Sequence, residues 1–69
     1  MTDIGDIYRL QNILVRLEMA SDQLYAVPKH LLRPAEEGLL VNARNSVNDL
    51  RDRVRHRKLE MLREMEEKE

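Results

Sequence analysis

A chain of 69 residues without cysteine has room for one domain, no disulfide staple and no cysteine-held zinc to nucleate it. Its charged residues, 36% of the total, balance to a net charge of −1, which removes any overall electrostatic bias toward nucleic acid or anionic membrane. No run approaches the roughly 20 apolar residues of a membrane span, and the opening MTDIGDIYRL lacks the basic-then-apolar order of a signal peptide, so the expectation is a soluble, cytoplasmic protein.

The residues are helix formers, rich in Leu, Glu, Arg and Met, with two Gly, two Pro and no Phe or Trp. The first helix is expected over about 3–27. Thr2 or Asp3 can cap its start, and Asp3 and Asp6 place negative charge at the positive end of the dipole. Gly5 weakens the first turn. Pro28 ends the helix, because a residue before proline is pushed out of the α region.

This helix carries two apolar stripes where a surface helix usually carries one. Leu10, Ile13, Leu14, Leu17, Ala20 and Leu24 recur in steps of three and four, the helical period. Ile4, Tyr8, Val15, Met19 and Ala26 recur in steps that put them nearly opposite. A helix apolar on two sides must bury two sides, and a single partner helix covers only one.

The connector 28–33 lies between Pro28 and Pro34. Its Leu31 and Leu32 are expected to fold back over the open end of a hairpin, with exposure to a partner as the other reading.

The second helix is expected over about 34–66. Pro34 suits its first position, where the missing N–H has no partner to lose, and Glu36 and Glu37 suit the first turn. Its stripe is Leu40, Ala43, Val47, Leu50 and Val54; it lapses at Arg57 and Lys58 and resumes at Met61 and Met65. Leu59 and Leu62 lie off it. At 1.5 Å per residue the helices measure about 33 and about 48 Å. Pairing from Pro34 to about Val54 would leave the last ten or so residues projecting past the start of helix 1. On this reading Leu17 and Leu50 face each other in mid-core, and removing residues 63–69 leaves the fold intact.

Residues 51–58, RDRVRHRK, hold five bases and one acid. Arg51, Arg53, Arg55, Arg57 and Lys58 could neutralise phosphates. Their charges spread around the helix, no aromatic is interleaved for stacking, and acids stand within pairing reach: Asp49 for Arg53, Glu60 for Arg57, Glu64 for Lys68, Glu67 for Arg63. A solvated, ion-paired face is the plainer reading. Asp52, His56 and Glu60 share one face at spacings that could hold a metal, but three groups on one exposed helix read better as a histidine between acidic neighbours. His30 stands alone in the connector. Ser21 and Ser46 fall at polar breaks that permit close packing, Gly5 and Gly38 form no phosphate loop, and two helices offer no pocket that excludes water. Neither catalysis nor a cofactor or metal is expected. Of the two tyrosines, Tyr25 sits at the edge of the first stripe and Tyr8 on the second.

The fold that follows is all-α: an antiparallel two-helix hairpin with a long second helix, pairing with a second copy into a four-helix bundle. Its general shape is similar to that of the small dimeric helical-hairpin regulators of plasmids and phages, with no motif in common. The function expected is a non-enzymatic interaction protein or regulatory adaptor that self-associates through helix 1, with Ile4, Tyr8, Val15, Met19, Ala26, Leu59 and Leu62 at the interface. A helix of another protein is a second possible occupant. The alternative is a dimeric nucleic-acid-binding regulator that uses the run 51–58.

Overall fold

The computed structural model describes residues 4–67 of the chain. Two α-helices, α1 (Ile4–Tyr25) and α2 (Pro34–Glu67), are joined through a 3-10 turn at Lys29–Leu31. The described residues contain no strand. The cap candidates Thr2 and Asp3 lie outside them.

Both prolines act where the chain chemistry places them. The last turn of α1 ends in an Ala26 N–H to Asp22 carbonyl bond of 3.0 Å and a longer Val27 N–H to Leu24 carbonyl bond of 3.4 Å that spans one residue fewer; Pro28, which has no N–H, then takes an extended conformation with ψ 100°. At the other end, Pro34 occupies the first position of α2. The Arg33 backbone N–H donates to Glu36 Oε1 at 2.9 Å, and the Arg33 carbonyl accepts from the Glu37 N–H at 2.9 Å. This is the carboxylate half of a capping box, so Glu36 fixes the start of α2 as well as complementing its dipole.

The helices pack antiparallel with a readable register. Gln11 meets Lys58, Glu18 meets Arg55, and Ser21 meets Asn48. Ile4, Ile7 and Tyr8 face Leu62 and Met65 across a shallow groove. The start of α1 therefore lies opposite Met65, and its end, Tyr25, lies opposite Arg44. This corrects the expected overhang. The part of α2 that extends past the end of α1 is at its beginning, from Pro34 to about Ala43, because the connector is a stretch of chain with its own 3-10 turn rather than a tight reversal; Leu40 within it is nevertheless buried.

The core is slender. Ile7, Leu10, Leu14, Leu40 and Val54 are buried, and Leu17 and Met61 pack half-buried against the cluster of Leu10, Leu14 and Val54. Leu14, the most enclosed apolar side chain among the described residues, is still 5% exposed. Three expectations fail here. Ile13 is 41% exposed, Leu50 is 49% exposed and Ala43 is exposed, whereas Ile7, assigned to neither stripe, is buried. Both helices are rotated away from the centres of their apolar stripes. On α2 the seam runs through Leu40, Arg44, Asn48, Arg51, Val54 and Lys58, and the four polar residues of that set are half-buried. Long polar side chains cover apolar surface with their stems while their heads reach water, so they occupy a seam that hydrophobic spacing alone assigns to leucines. Of the connector leucines, Leu32 is half-buried and Leu31 is exposed; only Leu32 tucks in.

Candidate interaction surfaces

The two broad sides of the hairpin differ in chemistry. One side is closed by polar contacts between the helices. Lys58 Nζ donates to Gln11 Oε1, Arg55 Nη2 to Glu18 Oε1 at 3.4 Å, and Ser21 Oγ to Asn48 Oδ1 at 3.0 Å. Asn48 Nδ2 donates in turn to the Tyr25 hydroxyl at 3.4 Å, and the Arg44 guanidinium lies 3.8 Å over the Tyr25 ring centroid, within cation–π range. Ser21, only 4% exposed, is both a small residue that lets the helices approach and the donor that satisfies Asn48. Its hydroxyl role was not visible from spacing, since the partner lies on the other helix. Arg44 Nε is buried without an acceptor among the described residues, while the rest of its guanidinium lies against Tyr25. Hydrogen bonding from Arg44, then from Asn48, together with the Arg44 charge, holds the Tyr25 phenol below its ordinary value of 10.0.

The other side is apolar. At about 100° per residue, residues turned away from Gln11, Glu18 and Tyr25 but still flanking the seam are Ile13, Leu17, Ala20 and Leu24. The matching positions on α2, turned away from Asn48 and Arg55, are Ala43, Val47 and Leu50. On α1 from Ile13 to Leu24 and on α2 from Leu39 to Leu50 this open face carries no charged residue; Arg9 and Arg16 stand at its α1 edge, and Arg57, seven residues past Leu50 in the same direction, lies level with Ile13 at its end. The stripes that the sequence presents as the hairpin core thus lie partly in the seam and partly on this face.

The residues expected at an interface are at the surface of the chain. Tyr8 is 65% and Met19 57% exposed, and Ile4, Val15, Leu59 and Leu62 are exposed as well, as is Ala26. The structure brings Ile4, Tyr8 and Leu62 together, with Ile7 and Met65, around an open groove of about 320 Å³. Val15, Met19 and Ala26 continue along the back of α1, and Leu59 stands apart on α2.

The basic run is largely engaged. Arg51 pairs with Asp52 at 3.3 Å and Arg53 with Asp49 at 3.1 Å, the latter as spacing predicts, while Arg55 and Lys58 reach across to α1. Arg57 makes no ion pair among the described residues; Glu60 instead lies 2.9 Å from His56 Nε2. Asp52 turns to Arg51, so Asp52, His56 and Glu60 do not converge, and no group of three acidic or histidine side chains able to hold a metal occurs among the described residues. Lys68, the expected partner of Glu64, lies outside them. Among the described residues no helix is long and apolar enough to cross a membrane. No protein-family model, curated protein or solved structure matches this chain.

Proposed function

We propose that the chain is a small, non-enzymatic protein–protein interaction module, a regulatory adaptor that self-associates with α1 at the contact, two hairpins making a four-helix bundle. One observation carries this reading: α1 is apolar on more sides than α2 covers. Ile4, Tyr8, Val15 and Met19 on one side and Ile13 on another remain exposed, and exposed contiguous apolar surface on a small domain marks a binding surface. The slender core supports it too, since a domain of this size rarely gains more than about 3–5 kcal/mol from its own core. A chain without cysteine suits a reducing compartment such as the cytoplasm.

Polyanion binding by Arg51, Arg53, Arg55, Arg57 and Lys58 has less support, because four of the five already face acids or an amide on their own chain. The test is particle mass by light scattering over a range of concentrations, beside retention on heparin across a salt series. A mass of two chains and indifference to heparin is the expected result. A monomer at every concentration that binds heparin with steep salt dependence would overturn the reading in favour of the basic run.

A further inference from the structure

The open face extends the full width of the hairpin, and its dimensions say what fits there. The chain exposes 5697 Å², whereas a compact monomer of its mass exposes about 4,500 Å². The excess, roughly 1,200 Å², exceeds the ~800 Å² that each partner gives up in a standard interface. The Cα radius of gyration is 16.2 Å against about 11 Å for a compact chain of this length. The molecule is a rod of 54 × 14 × 13 Å, with the surface of half an object.

We infer that a second copy of this chain covers the face built from Ile13, Leu17 and Ala20 of α1 and Ala43, Val47 and Leu50 of α2, with the two seams packed across a two-fold axis. This rests on the self-association proposed above and names the surface that does it. Three features favour a second hairpin there over a single foreign helix. The face is two helices wide, so one helix lying in the central groove would leave both flanks wet. It is uncharged where Ala20 to Leu24 of α1 lies beside Ser46 to Leu50 of α2, so a two-fold axis at that level brings no like charges together and keeps Arg57 toward the end of the face. The opposite broad side is sealed by the Gln11–Lys58, Glu18–Arg55 and Ser21–Asn48 contacts and offers no competing apolar surface at its centre. A second copy would also enclose Leu17 and Val47, which the single hairpin leaves half-buried. The back of α1, with Tyr8 and Met19, then lies on the outside of the bundle, where its exposed apolar side chains remain the adaptor's surface for a helix of another protein.

Two double variants and one label separate the outcomes. Ile13→Glu with Leu50→Glu places charge on the open face at positions that lie outside the seam. Val15→Glu with Met19→Glu does the same on the back of α1. By light scattering the parent has the mass of two chains, the first variant falls to one, and the second keeps two. In addition, a single cysteine in place of Ala43 reacts slowly with a thiol reagent in concentrated solution and freely on dilution, whereas one in place of Gln23 reacts freely in both. The label decides if the first variant proves unfolded. A parent that is monomeric at every concentration overturns both the self-association and this face. A dimeric parent whose first variant stays dimeric, or whose cysteine at position 43 reacts as freely as the one at position 23, leaves self-association standing and overturns the face.

Discussion

Leu14 and Leu50 show what burial, rather than spacing, does to a leucine. Leu14 is 5% exposed and packs with Leu10 and Val54, so Leu14→Ala leaves a hole in the core cluster. Such truncations cost about 2–5 kcal/mol, as much as the whole stability of a lone domain this small. Thermal melting followed by circular dichroism should show the cooperative transition severely lowered or lost. Leu50→Ala should leave the melting of dilute protein nearly unchanged, because half of that side chain is already in water. Tyr25 provides a pH readout. Its phenol is held below 10.0, first by Arg44 and then by Asn48. The folded-state value being the lower one, the phenolate favours the fold. That contribution is present above the ordinary tyrosine range, fades as pH falls through the folded-state value, and is absent at neutral pH. In a Tyr8→Phe background, ultraviolet titration should find the remaining tyrosine ionising below 10.0, and Arg44→Met should move it upward. An unshifted titration in the folded protein would mean that Arg44 does not sit at the ring.

At the scale of elements, the two prolines made the hairpin legible. Pro28 and Pro34 bracket the connector, and the observed helix ends fall within two residues of where proline chemistry puts them. The register was less legible, because a connector of given length can turn tightly or run alongside α2, and composition does not distinguish the two. The consequence is testable at the tail. Met65 and Leu62 share a groove with Ile4, Ile7 and Tyr8, so deleting 63–69 should lower the melting temperature rather than leave it untouched. An unchanged transition would show that the first turn of α1 adds nothing to the fold. Gly38 tests the other end. It lies inside α2, and a Cβ built there meets nothing within 4 Å. Gly38→Ala should therefore stabilise by about 0.5–1 kcal/mol through helix propensity alone, which for a domain of this size is a rise of several degrees in Tm. A fall would mean that the site is covered in the assembled protein.

At the scale of the molecule, the apolar faces were legible as faces but not as partners. The sequence carries more apolar stripe than two helices can hide, and that excess was readable. Which stripe goes inside was not, because the seam is shared with Arg44, Asn48, Arg51 and Lys58, whose stems cover apolar surface while their heads make polar contacts. The hairpin itself meets the same ambiguity. Leu10, Leu14, Leu17 and Leu24 spread over one broad stripe, so α1 could turn about its own axis by a fraction of a turn and still bury leucine. Hydrophobic contact is nearly degenerate in that rotation. The contacts on the sealed side lift the degeneracy, since a hydroxyl, an amide and a phenol meet in only one phase of the two helices, as a single polar residue sets register in a coiled coil. Replacing the pair, Ser21→Ala with Asn48→Leu, removes two polar groups together and should cost little in melting temperature. Its amide resonances should nevertheless broaden or double, as the helices sample more than one phase. A single sharp set would show that leucine packing alone sets the angle. Ser21 and Asn48 would then act less as fasteners than as the index mark that tells each helix which way to face.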